Sequence, residues 1–197
     1  GDYTPKCFEF LINNINNFFD NIYNNRKLFY SFNDVCKEMN YLSNFIEIFV
    51  KVTNDENIEN NKKTIIKENK ELFACLAAKF LKEEEFSQFI DRYNININIE
   101  YSEITPLFCS IFNDNDTLKV ILTKYIDKID INYCTSSNLT ALHLICYRPE
   151  IYEKEGCKLF IKNKDLKINV QGKTYWYTPL HIALISNNID IAMLLLN

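Results

Sequence analysis

A stack of paired α-helices is the fold class that this sequence predicts, and three observations predict it. A four-residue signature recurs at Thr140-Ala141-Leu142-His143 and Thr178-Pro179-Leu180-His181, with a third copy at Thr105-Pro106-Leu107-Phe108. Each signature opens the same order of features. After Thr178 come Ile182-Ala183-Leu184, a polar break at Ser186-Asn187-Asn188, and the apolar run Ile189-Asp190-Ile191-Ala192-Met193-Leu194-Leu195-Leu196. That order spells a short helix, a tight turn and a second helix. The starts are also evenly spaced: with a fainter copy at Leu72, positions 72, 105, 140 and 178 lie 33, 35 and 38 residues apart, the mark of a solenoid.

Taken in order, the elements have local causes. Residues 1–71 read as a helical N-terminal segment, either degenerate repeats or a separate cap. Gly1-Asp2-Tyr3-Thr4-Pro5 resembles a repeat start, but Lys6-Cys7 stands where the Leu-His pair belongs. Asn33 to Val52 carries Val35, Met39, Leu42, Phe45, Ile46 and Phe49 at helical spacing. The polar stretch 54–71 reads as a loop or an exposed helix. In the second unit, 72–197, Leu72 to Ala78 and Phe86, Phe89 and Ile90 supply a helix pair. Thr105, Thr140 and Thr178 suit helix N-caps, because a hydroxyl there accepts from an orphan backbone N–H, and Pro fits the first turn. Leu107, Leu142 and Leu180 then point into the stack. The long gap places extra residues near Arg148-Pro149-Glu150, where Pro ends the preceding helix. Glycine is limited to Gly1, Gly156 and Gly172, so Asn113, Asn115, Asn163, Asn187 and Asn188 are expected to take the positive-φ turn positions. Asn96-Ile97-Asn98, Asp130-Ile131-Asn132 and Ile168-Asn169-Val170 close successive copies. The last repeat reads as truncated at Leu196-Asn197, as in a piece of a longer protein.

These signatures resemble the ankyrin repeat, in register over about 125 residues of period about 33. The resemblance implies an all-α solenoid of helix pairs with short projecting loops. It implies that the imidazoles of His143 and His181 bond the Thr hydroxyl and nearby backbone, tying one loop to the next. Thr105, Thr140, His143, Thr178 and His181 are therefore structural motif residues. It further implies protein–protein recognition: an unidentified partner protein lies across the concave face and the loop tips, and no catalysis is expected. The rival reading is a recruitment or regulatory module of a larger enzyme whose active domain lies outside this chain.

The remaining chemistry is sparse. A net charge near −4 disfavours phosphate binding and hence nucleic acid. No stretch approaches the ~18 apolar residues of a membrane span. Seven Cys without CxxC pairs indicate neither a disulfide framework nor a zinc ribbon. Cys75, Cys109 and Cys146 lie on apolar helix faces, where a thiol packs as a small hydrophobe. An intracellular, reducing location, in the cytoplasm, is the coherent expectation, although Asn115 and Asn138 head glycosylation sequons. His143 and Cys146 are one helical turn apart, yet two ligands make a poor metal site. With so few glycines no phosphate-cradling loop forms, and Glu83-Glu84-Glu85 suits a solvated helix start. No catalytic residue, metal or cofactor is expected.

One segment departs from this pattern. Gln171-Gly172-Lys173-Thr174-Tyr175-Trp176-Tyr177 places the chain's only Trp between two Tyr in a projecting loop. It reads equally as a recognition site, since exposed aromatics anchor interfaces, and as packing against the previous loop. Tyr101 and Tyr133 hold equivalent places in earlier loops. Candidate partner-binding residues are Tyr101, Glu103, Tyr133, Ser136, Tyr175, Trp176 and Tyr177.

Overall fold

The computed structural model describes residue 67 and residues 70–101, 104–173 and 175–196. The chain divides into the units Gly1–Glu68 and Asn69–Asn197, and the helices below belong to the second. The amphipathic segment 33–52, the Thr4-Pro5 start, most of the polar stretch before Lys70, and Glu103 lie outside the described residues.

Among the described residues there are eight α-helices and no strand, only an isolated bridge between Tyr101 and Ile104. They come in pairs: α1 (Lys70–Phe80) with α2 (Glu83–Arg92), α3 (Pro106–Ser110) with α4 (Thr117–Lys124), α5 (Ala141–Tyr147) with α6 (Glu155–Ile161), and α7 (Pro179–Ile185) with α8 (Ile189–Leu196). The first helices stack in the order α1, α3, α5, α7, and α2, α4 and α6 form the second layer. This is a helix-pair solenoid. Helices α3, α5 and α7 begin one residue after Thr105, Thr140 and Thr178, each with extended backbone at the Thr. The core runs between the layers and includes Leu72, Leu76, Phe86, Phe108, Ile121, Leu142, Ile145, Phe160 and Ile191, all essentially inaccessible. Cys75, Cys109 and Cys146 are buried among them as free thiols.

The third pair carries the insertion. Helix α5 ends at Tyr147, and Pro149–Ile151 forms a 3-10 turn before α6 starts at Glu155. The distance between the two helix starts of a pair is 155 − 141 = 14 residues there, against 117 − 106 = 11 and 189 − 179 = 10 in its neighbours. The extra turn is part of the fold: Ile151 is buried, and α8 packs on this turn as well as on α7.

Turn chemistry differs from the expectation that Asn substitutes for Gly. Of the five Asn named for positive φ, only Asn187 has it; the other non-Gly residues there are Asn94, Asp116, Asn138 and Trp176. Asn113 and Asn188 are instead buried. The Asn113 amide donates to the carbonyls of Ala78 and Leu81 at 2.9 and 2.8 Å. The Asn188 amide donates to Ile145 and Cys146 at 3.4 and 3.3 Å. These carbonyls lie at the C-terminal ends of α1 and α5, where a helix runs out of its own N–H donors, although Ile145 also accepts from the Arg148 N–H at 3.2 Å. The amides are thus spent on the helix ends of the preceding repeat. The turn after α3 is secured from both sides, as Ile111, Phe112 and Asn113 offer carbonyls to Arg148, Lys79 and Lys154 respectively. Asn163 acts locally, its Oδ1 accepting from the Asp165 N–H at 2.9 Å, and the Asn115 N–H donates to Asn113 Oδ1 at 2.6 Å.

Leu180 departs from its counterparts. Leu107 and Leu142 are buried, whereas Leu180 is half-exposed because no further helix pair covers α7 among the described residues.

Candidate functional site

The loops between helix pairs are tied together by side chains that recur at the repeat period. Asn98 Oδ1 accepts from the Asp130 N–H at 3.1 Å. One repeat later, Asn132 Oδ1 accepts from the Lys167 N–H at 2.7 Å, and its amide donates to the Asp165 carbonyl at 2.8 Å. The amide of Asn138, at φ 61°, donates to the Gln171 carbonyl at 2.7 Å. Each loop is therefore held on the one before it.

His143 joins both levels. Its Nδ1 receives the Thr140 N–H at 3.0 Å and lies 2.9 Å from the Thr140 hydroxyl. A nitrogen that accepts from a backbone N–H is unprotonated, so the proton is on Nε2. That Nε2–H then donates to the Tyr177 carbonyl, 3.3 Å away in the next loop. Both ring nitrogens are occupied, which leaves neither for a metal beside Cys146. Burial holds the imidazole's pKa below its ordinary value, opposed by the carbonyls of Tyr177 and Val170. Burial likewise pushes the Cys146 thiol far up, and Cys157 up to about 12, so neither is a ready thiolate. His181 repeats the inner half of this arrangement, with Nδ1 3.2 Å from the Thr178 N and 2.8 Å from its hydroxyl. Thr105 caps α3 by accepting from the Phe108 N–H at 3.4 Å.

The aromatic loop is compact. The Gly172 N–H donates to the Tyr177 carbonyl and the Trp176 N–H to the Gly172 carbonyl, each at 3.0 Å. The Lys173 N–H reaches the Ser137 carbonyl at 2.9 Å, and Lys173 Nζ reaches the Ser136 carbonyl at 2.8 Å. Gly172 is buried against Leu139, whose Cδ2 a Cβ would meet at 3.2 Å. Closing so short a loop sets Trp176 at φ 57°, where a bulky side chain is unusual. Trp176 is 68% exposed and Tyr175 57%. The rings of Tyr175 and Tyr177 stack at 5.6 Å, and Tyr177 stacks on His181 at 6.0 Å, so three rings run from the loop tip to the first turn of α7.

The other candidates are placed differently. Tyr133 is half-buried and meets Phe108 edge-on at 5.7 Å. Tyr101 is half-buried and pairs with Ile104 through the backbone, the Tyr101 N–H donating at 2.8 Å. Ser136 is exposed, with its carbonyl on Lys173. Exposed aromatics are thus concentrated in the last loop and do not form an even stripe. Sequence reading missed the inter-loop role of Asn98, Asn132 and Asn138. The available signal was the position of Asn98 and Asn132, 7 and 8 residues before Thr105 and Thr140, and Asn138 carried none. Among the described residues no three His, Cys, Asp or Glu side chains converge as metal ligands, and no helix is long and apolar enough to cross a membrane.

Paired short helices, threonine-capped and stitched loop to loop by histidine and asparagine, define a repeat protein that presents a continuous surface. Residues 121–197 match the family model described as ankyrin repeats (3 copies). Residues 121–197 are therefore similar to ankyrin repeats, which are generally protein–protein interaction modules and typically non-catalytic. No curated protein matches the chain.

Proposed function

We propose that this chain is an intracellular interaction scaffold that binds a partner protein through the projecting loops and first helices of its repeats, without catalysis of its own. Tyr175 and Trp176 are the main anchors, and Tyr177 is the base on which Tyr175 stacks. Tyr101, Glu103, Tyr133 and Ser136 contribute at the rim. The repeats from residue 72 onward carry the binding, and residues 1–71 serve as an accessory or a cap.

The observation that supports this most is Trp176: the chain's single Trp is held 68% exposed at a left-handed backbone position. An isolated bulky residue in that region is disfavoured by roughly 1–2 kcal/mol, and an exposed indole gains nothing in the free protein. Recognition gives both features a reason, because Trp and Tyr dominate interface hot spots. The test is capture from a lysate of the source cell with the chain, with Trp176→Gly, and with a Tyr175→Ser/Trp176→Ser/Tyr177→Ser variant. A partner held by the first and lost by both variants supports the loop as the site. Trp176→Gly is expected to fold as well as the parent, because glycine accepts φ 57° freely. Equal retention by all three would move the site to the helix faces.

A further inference from the structure

The loops that join successive helix pairs differ in charge. The loop between α2 and α3, residues 93–105, holds Glu100 and Glu103 and no cation, a net −2. The loop between α4 and α5, residues 125–140, holds Asp127, Lys128 and Asp130, a net −1. The loop between α6 and α7, residues 162–178, holds Lys162, Lys164, Lys167 and Lys173 against Asp165, a net +3. The whole chain carries −4, so the rest of it carries −7 once this +3 is set apart. The cationic loop is also the one that ends in Tyr175 and Trp176.

These lysines have no structural task. On the helices, Lys119, Lys124 and Lys158 each meet a carboxylate at 3.0 Å or less. Lys162, Lys164 and Lys167 are exposed and make no ion pair among the described residues. Lys173 is exposed as well, and its ammonium donates to a neutral group, the Ser136 carbonyl. The backbone beneath them is pinned to the preceding loop. Asn132 holds the Asp165 carbonyl and the Lys167 N–H, Asn138 holds the Gln171 carbonyl, and the Ser137 carbonyl holds the Lys173 N–H. Like charges set along a fixed stretch repel one another and add nothing to the fold. Ile168, 37% exposed, adds an apolar side chain in their midst.

We propose that this loop binds an acidic peptide segment of a partner protein, with carboxylates over Lys164, Lys167 and Lys173 and an apolar side chain against Trp176. The inference rests on Tyr175 and Trp176 as anchors of recognition and adds the chemistry of what they recognise. The groups divide the work: desolvated aromatic contact supplies affinity, and the charges around it supply selectivity and encounter rate. A nucleic acid or an anionic membrane also offers negative charge, but over a length or area that extends to the neighbouring loops. There it meets Glu100, Asp127 and Asp130, all exposed. A peptide places its carboxylates at the lysines alone and leaves the acidic loops uncovered.

The test selects binders from a displayed library of random peptides, with the whole chain and with Trp176→Gly in parallel. Peptides held by the parent and lost on the variant are expected to carry an excess of Asp and Glu. One of them, synthesised, is titrated against the chain, whose only Trp reports binding through its own emission. Lys164→Gln/Lys167→Gln should weaken that peptide by about threefold to tenfold at low salt, and much less at about 0.5 M, where charges are screened within a few ångströms. Lys124→Gln/Lys158→Gln removes the same net charge from paired sites and should change the affinity by less than about twofold. Trp176-dependent peptides without an acidic excess would overturn the proposal and leave the aromatic anchors standing. Equal weakening by the two lysine pairs, or none that salt suppresses, would also overturn it. So would tighter binding of oligo(dT), or of vesicles containing phosphatidylserine, than of the selected peptide in the same emission assay. A library that yields no Trp176-dependent peptide at all would sink the aromatic loop as a recognition site, and this proposal with it.

Discussion

At the scale of single residues, His143 concentrates most of the logic of the repeat. Its ring must be neutral, since Nδ1 accepts from the Thr140 N–H while Nε2 donates to Tyr177. Protonation at Nδ1 replaces an acceptor with a donor that faces another donor, and it breaks the cap of α5. Burial, the dominant effect on this group, disfavours the charged form in the folded state. The unfolded chain titrates near the ordinary histidine value of about 6.5. Below that pH the unfolded state binds more protons than the folded state, so stability is fully present above about 6.5. It is lost as pH falls from there through the lower folded-state value. Urea midpoints measured at pH 7.5 and 5.5 should therefore fall for the parent chain and fall less for His143→Gln. A parent midpoint that rises on acidification would contradict the neutral, bridging imidazole. Trp176 is the second residue whose backbone and side chain must be read together. Its exposure alone is compatible with a solvated loop, but the left-handed backbone gives the exposed indole a fixed direction from the loop's hydrogen bonds.

At the scale of elements, several helix ends are completed by a neighbouring pair and not by their own sequence. Helix α6 shows this most sharply. Lys154 at its N-cap makes no side-chain cap, and the Gly156 N–H donates instead to Asp116 Oδ2 of the preceding pair at 3.0 Å. Asp116 itself holds φ 55° to reach it. A Cβ on Gly156 would lie 2.4 Å from Asp116 Oδ1 and 2.6 Å from the Lys119 N. Gly156→Ala is thus expected to destabilise the chain by about 1–3 kcal/mol through overpacking, the reverse of the gain usual for Gly→Ala in a helix. Asp116→Ala removes the cap and costs about 1 kcal/mol. The double variant should lose less than the sum, because deleting the carboxylate relieves one of the two collisions. Urea unfolding of the four chains checks this, and strict additivity would argue against the contact. These dependencies also explain what the sequence conceals. Helix starts at Thr105, Thr140 and Thr178 were legible because capping and Pro preference are local. The insertion was legible because Pro149 interrupts a period. The roles of Asn113, Asn188 and Asp116 were not, because their partners lie 32–43 residues away and nothing nearby in sequence distinguishes a buried bridging amide from a turn residue. The aromatic loop was visible by composition, but the half-burial of Tyr101 and Tyr133 depends on packing, such as the contact with Phe108, that composition does not encode.

At the scale of the whole molecule, a stack whose pairs touch mainly their neighbours has a stability that varies along its length. Leu142 and Leu180 occupy the same register position in α5 and α7, so a comparison between them isolates position in the stack from side-chain chemistry. Leu142 is fully buried between α3 and α7. Leu142→Ala should cost about 2–5 kcal/mol, the range for a buried leucine with no room to collapse, and it should uncouple the pairs on either side. Leu180 is half-exposed, and the transfer term for its side chain is correspondingly smaller. Leu180→Ala should therefore act locally, increasing the opening of α7 and α8 while α1 to α4 keep their protection. Hydrogen exchange resolved by segment distinguishes the two. Leu142→Ala is expected to speed exchange on both sides of α5, and Leu180→Ala only over residues 178–196. If Leu180→Ala loosens α1 to α4 as much as α7 and α8, the helix pairs unfold as one cooperative body and stability does not grade along the stack. If the graded pattern holds, the aromatic loop sits between α6 and α7, where an interior pair meets the last described one. Tyr177 accepts the His143 bond on one side and stacks on His181 on the other. A partner that fixes Tyr175 and Trp176 would then also steady α7, so binding at the loop and protection of the last helix pair should rise together.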